Sequence, residues 1–227
     1  AAMNLSPPSI SLFAHPFSSY CQKVLLALYE NQTPFQYRSL EDPDNMQELA
    51  RRWPMKRFPL LADGEQTVLE ASIIIEHLHL HHPGPVRLLP ADPQQALRVR
   101  MLDRFFDNYV AAPMMKVVFD SLRPPQSRDS YGIDEAKQML DTAYAWLERH
   151  MQSRQWATGD DFSLADCAAA PFLFYADWTH RIPAGHGHVH AYRQRLLARP
   201  SMVRVVDGAR PHRHLFPLGA PDRDCPL

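Results

Sequence analysis

Residues 58–78, FPLLADGEQTVLEASIIIEHL, decide how this chain is read. Phe58-Pro59 opens a short apolar run, Leu60-Leu61-Ala62, which meets a turn at Asp63-Gly64. A second run ends in Val68-Leu69, and a helical pattern starts near Ala71. The order is proline, strand, hairpin, strand, helix. Proline has no N–H to give to a sheet, so it suits an edge, a first strand position or a special turn. With a cis Phe58-Pro59 bond, Phe58 would turn its backbone N–H and C=O outward, where an extended peptide can pair with them. Glu70 falls where strand gives way to helix, beside backbone N–H groups that a helix cannot satisfy internally. A ligand carboxylate would bind those N–H groups while its amino group met the Glu70 side chain. The expected ligand is a small zwitterionic peptide.

Upstream, residues 10–14 read as a first strand and 21–30 as a helix, joined by His15-Pro16-Phe17-Ser18-Ser19-Tyr20. Cys21, Val24, Leu25 and Leu28 recur at i, i+3, i+4 and i+7, which makes one apolar face. Residues 35–39 alternate as a second strand. The intervening helix makes these strands parallel through a right-handed crossover. Residues 43–52 form a short polar helix. The sum is βαβ followed by ββα, a thioredoxin-like α/β domain over residues 8–82.

Residues 81–93, HHPGPVRLLPADP, hold four prolines and a glycine, and place a linker at 83–91. Beyond it no strand pattern follows. Residues 92–121 and 134–153 are long helical patterns, the first interrupted near Pro113, with Arg123-Pro124-Pro125 between them. The second domain, 92–210, is therefore expected to be all helix, and 211–227 is a tail without pattern. Phe162-Ser163-Leu164-Ala165-Asp166 has the spacing of a capping box with Asp in place of Glu, behind half of a hydrophobic staple.

The formal net charge of −1 gives no electrostatic case for nucleic acid or an anionic membrane. No run approaches the roughly 18 apolar residues of a membrane span. The opening AAMNLSPPS lacks the charged and apolar regions of a secretory signal. Cys21, Cys167 and Cys225 form no disulfide framework. The expected compartment is the cytoplasm. His77, His79, His81 and His82 include one i, i+4 pair, but no acidic or cysteine partner recurs at ligand spacing, so no metal is expected.

Arg57-Phe58-Pro59-Leu60-Leu61 followed by Leu69-Glu70-Ala71-Ser72-Ile73-Ile74-Ile75-Glu76-His77-Leu78 resembles the glutathione-binding half of the soluble glutathione S-transferases, with a bacterial-like, serine-type active site. The resemblance implies that the Phe58-Pro59 loop grips the cysteinyl backbone of glutathione and that Glu70 holds its γ-glutamyl end. Ala71 replaces the serine usual there. Its backbone N–H retains part of that role, and Ser72 offers a hydroxyl from the next position. Lys56 and Arg57 could pair with the glycyl carboxylate or remain solvated loop charges. The cap at Ser163 and Asp166 is similar to that of a buried helix in the same family, where it serves folding. The resemblance further implies a homodimer and a detoxifying transferase.

Glutathione chemistry needs a thiolate, and a cysteine-like thiol has a pKa near 8.5. Lowering it by about two units takes roughly 2.7 kcal/mol of thiolate stabilisation. A hydroxyl donating to a charged acceptor supplies about 1.5–3 kcal/mol, and a helix N-terminus adds roughly 0.3–2. Ser18 and Ser19 stand before the first helix, and the resemblance puts Ser18 at the catalytic serine of the serine-type classes. Ser19 is one residue nearer the helix and could serve as its N-cap. Both could also be no more than caps. Tyrosine-type classes would need Tyr near the end of the first strand, where Ala14-His15 stand; Tyr20 lies too far along. Cys21 is a rival thiol-site residue, although its periodicity puts it on the core face. His15 could donate to the thiolate or cap a turn. Met101, Phe105 and Tyr109 form a helical stripe that could line a pocket for a small apolar electrophile or be core.

Overall fold

The computed structural model describes residues 8–224. The first seven residues, with most of the segment weighed as a signal, and Cys225 lie outside the described residues. The chain divides into two compact units, meeting between Leu88 and Leu89.

The first unit is a four-stranded sheet in the order β2-β1-β3-β4. β1 (Ile10–Ala14) runs parallel to β2 (Gln36–Ser39) and antiparallel to β3 (Leu60–Asp63), which pairs antiparallel with β4 (Gln66–Leu69). The parallel pair is joined through α1 (Ser19–Glu30), as the crossover argument requires. Strand β3 runs through Asp63, so the hairpin turn sits one residue later than the sequence suggests. Gly64 takes a left-handed φ of +58° there, which a two-residue hairpin turn favours. α2 (Pro43–Arg52) is capped by Asp42, whose side chain accepts from the Asp44 N–H at 2.9 Å. On its side of the sheet, Leu49 packs with Phe13, Leu60 and Ala62. α3 (Ala71–His81) packs against α1. Lys23 of α1 is fully buried and donates to Ser72 Oγ at 2.7 Å.

The second unit is helical. α4 (Pro93–Phe105) starts at the cap Asp92, and α5 (Ala112–Ser121) follows a π-helical stretch, Phe106–Ala111. The interruption expected near Pro113 is this widened turn. Pro113 cannot donate to the carbonyl four residues back, and the preceding Ala112 N–H donates to the Asp107 carbonyl, five residues back. α6 (Ser130–His150) begins four residues before the sequence-based start, because Asp129 caps it through the Gly132 N–H at 2.9 Å and hides the onset behind a glycine. α7 (Leu164–Thr179) is buried along nearly its whole length and packs against α4, α5 and α8 (Gly187–Ala198), which α9 (Pro200–Ala209) follows. One isolated strand-type bridge, Trp156 with Gly159, precedes α7. The tail has a structural part that the sequence does not announce: Asp224 accepts from buried Arg193 at 2.8 and 3.0 Å and from Trp178 Nε1 at 3.0 Å.

Candidate functional site

Strand register assembles the site. Leu60 faces Leu69, so Pro59 and Glu70 leave the hairpin side by side; Phe13 faces Leu60, so the turn after Ala14 emerges at the same edge. Three segments distant in sequence thereby converge: the turn before α1, the Phe58-Pro59 loop and the start of α3.

A pocket lies at this edge. Arg57, Phe58 and Pro59 form one wall and Leu69, Glu70 and Ala71 another, with Tyr20 and Trp53 closing it. The Phe58-Pro59 bond is cis. Phe58 is exposed and Pro59 buried. Glu70 is the N-cap residue of α3 and is exposed, with φ +69° and no side-chain bond to the helix it starts. A non-glycine residue at positive φ costs on the order of 1–3 kcal/mol, and such residues cluster at ligand sites. Glu70 lines the pocket beside Ala71, the first residue of α3, where the helix leaves backbone N–H groups without internal partners. Lys56 has φ +54° and, like Arg57, is exposed; Lys56 is not part of the pocket wall.

At the turn before α1, Ser18 is the N-cap: its Oγ accepts from the Cys21 N–H at 3.3 Å. Ser19 is the first helical residue and is buried, which corrects the reading of Ser19 as the cap. Ser18 is not one of the residues that line the pocket, and its hydroxyl lies on the Cys21 thiol as well as on the helix, so donating to a bound thiol requires it to turn from Cys21. His15 caps the turn, its Nδ1 accepting from the Phe17 N–H at 3.1 Å. Cys21 is fully buried, and burial pushes its thiol up to about 11 against the opposing Ser18 hydroxyl and His15 backbone, so it is protonated at neutral pH.

Ser72 is partly buried, and its hydroxyl accepts from Lys23. Ser72→Ala is therefore expected to lower stability by about 1–3 kcal/mol and to change affinity for glutathione less than about threefold, read by urea denaturation and titration calorimetry. A large affinity loss at unchanged stability would instead make Ser72 a ligand.

Tyr20, Trp53 and Leu69 are pocket residues that the sequence argument missed. Tyr20, too far along for the tyrosine-type position, sits in the first turn of α1, beside the serines. His77 and His82 also find the acidic partner that sequence spacing did not offer: both Nε2 atoms lie on Asp63 Oδ2, at 2.8 and 2.7 Å.

In the second unit Phe105 is buried, and its ring lies 5.9 Å from Tyr109 and 4.6 Å from Trp146. With Met139, Thr142 and Ala143 these rings line an apolar pocket. Met101 is half-exposed and is not one of its lining residues.

Comparison with known proteins bears on the family. Residues 12–86 match the family described as glutathione S-transferase, N-terminal domain, and residues 130–195 match glutathione S-transferase, C-terminal domain. The chain is similar to glutathione S-transferase GstB of Escherichia coli, 26% identical over 209 residues that cover 87% of this chain and 97% of that protein. It is also similar to FtsZ-localized protein A of Caulobacter vibrioides, 28% identical over 76% of this chain and 79% of that one. Among solved structures, a glutathione S-transferase of Methylobacterium radiotolerans in complex with glutathione sulfonate superposes with a TM-score of 0.76 at 29% identity, covering 87% of this chain and 94% of the other. By both of its domains, and by relatives aligned over most of its length, the chain belongs to the glutathione S-transferase family.

Proposed function

We propose that this protein is a glutathione transferase that holds glutathione at the edge of its first unit and activates the thiol as a thiolate for attack on an apolar electrophile. The observation that carries the reading is Glu70, an exposed carboxylate in a strained turn at a helix N-terminus, sharing a pocket with Phe58-Pro59. A γ-glutamyl group brings an ammonium for Glu70 and a carboxylate for the N–H groups of Ala71 and Ser72. Ser18 is the proposed thiol donor, Phe58 and Pro59 hold the peptide backbone, and Arg57 and Lys56 meet the glycyl carboxylate. A thiolate formed there adds to, or displaces a leaving group from, an electrophilic carbon, and the thiol proton passes to solvent. The aromatic stripe of Phe105 and Tyr109 is the proposed source of apolar substrate contacts. A cytoplasmic homodimer acting in detoxification completes the proposal, and isomerase, lyase or reductase chemistry with glutathione would use the same thiolate.

A second reading is a non-catalytic interaction module, favoured by Ala71 in place of serine and by the engagement of the Ser72 hydroxyl with Lys23. The two separate on the native protein. Added glutathione near pH 6.5 is expected to be retained and to develop the ultraviolet absorbance of a thiolate. Absence of binding would sink the transferase reading and leave the interaction module; binding without thiolate would sink the mechanism.

A further inference from the structure

At the end of the first unit remote from Glu70, Asp63, His77 and His82 bring three metal-ligating side chains together. Asp63 ends β3 just before the hairpin turn, His77 lies in the last half of α3 and His82 follows its last residue. Their nearest ligand atoms, two Nε2 and one Oδ2, all lie within 4.8 Å of one another. Four-coordinate zinc, with bonds of about 2.0–2.1 Å, sets its ligands roughly 3.3–3.4 Å apart. The Asp63 contacts of 2.7 and 2.8 Å therefore open by about half an ångström, while the two Nε2 atoms, which lie within 4.8 Å of each other, settle at the same spacing.

We propose that Asp63, His77 and His82 form a site for a divalent zinc-type cation, with a water in the fourth position. Two imidazoles and one carboxylate match the borderline cations better than magnesium or calcium, which prefer all-oxygen sets. His77 is 8% exposed and His82 and Asp63 are partly open, which gives an anchored ligand and an entry route. The cluster is prepared for an ion: the carboxylate already draws both Nε2 atoms to one point. An ionised carboxylate only accepts, so both Nε2 atoms carry the hydrogen. On metal binding each ring moves that hydrogen to Nδ1 and presents the Nε2 lone pair. The ion would tie the β3–β4 turn to the C-terminal end of α3, joining at one end the elements that present Glu70 at the other. None of this rests on glutathione chemistry.

The test uses the full chain stripped with a chelator and titrated with zinc alone, then with cobalt alone. One ion per chain is expected, with visible absorption of four-coordinate cobalt. At a hundredfold excess over Kd, melting should rise by about 5–10 °C. His82→Gln, which keeps a donor for Asp63, should weaken binding at least tenfold, whereas His186→Gln/His190→Gln at the start of α8 should leave it unchanged. In the unaltered protein, ¹⁵N spectra of the rings should show zinc moving two histidines from Nε2–H to metal-bound Nε2. No binding, equal binding by His82→Gln, or loss through the α8 pair would each overturn the site.

Discussion

Ser18→Ala is expected to raise the thiol pKa of bound glutathione by about 1–2 units and to cut turnover near pH 6.5 by roughly ten- to hundredfold. The size follows from losing one hydroxyl donation to a charged acceptor, about 1.5–3 kcal/mol. The acid limb of the pH–rate profile should move up by the same 1–2 units, so raising the pH restores activity. Ser18 is also the cap of α1, and alanine at an N-cap costs about 1 kcal/mol, whereas glycine costs only a few tenths. Ser18→Gly therefore separates the two roles: it should melt close to the unaltered protein yet lack the thiolate absorbance as fully as Ser18→Ala. If both variants keep that absorbance, Ser18 is a cap alone, and Tyr20→Phe tests the other hydroxyl residue, which lines the pocket.

The two serines show where a sequence stops being informative. Ser18 and Ser19 are equally good N-caps by type, and only the backbone separates them: Ser18 is extended, with φ −105° and ψ +121°, while Ser19 is already helical. By contrast the β3–β4–α3 segment was legible to within a residue at the turn, because a proline, two short apolar runs and a glycine turn between them are local signals. The partner of His77 and His82 was not. Asp63 precedes them by 14 and 19 residues and reaches them because a hairpin and a helix fold back along each other. Trp53 joined the pocket for the same reason: nothing local distinguishes it from a core aromatic at the end of α2. The break near Pro113 was foreseeable from proline's missing N–H, but its form, a π-turn with Ala112 donating to Asp107, depends on how the helix closes around it.

Asp166→Ala is expected to be the most damaging single change in the helical unit, lowering stability by about 4 kcal/mol or more and the melting temperature by roughly 8–16 °C. An exposed cap would cost only about 1 kcal/mol, but Asp166 is fully buried and serves more than the cap. It accepts from the Ser163 N–H at 2.9 Å, closing the capping box of α7. It also accepts from the Ala157 N–H at 2.9 Å and from the Tyr192 hydroxyl of α8 at 2.5 Å. Alanine leaves three buried donors without an acceptor, each at a cost of about 1–3 kcal/mol, and it unpins α7 from α8 and from the loop before it. The pH dependence has a definite sign. Burial, opposed by the hydrogen bonds from Tyr192, Ala157 and Ser163, pushes the Asp166 carboxyl up to about 6. A folded-state pKa above the unfolded one stabilises the protein below the unfolded value, near 4, and that contribution is lost as pH rises through about 6. The alanine variant has no such contribution. The stability gap between the two proteins should therefore widen as pH falls from about 7 to 4, by up to roughly 3 kcal/mol. Urea denaturation of both proteins across that range measures it. A gap that narrows would mean that the hydrogen bonds outweigh burial and that the carboxylate, not the acid, is the form this fold prefers.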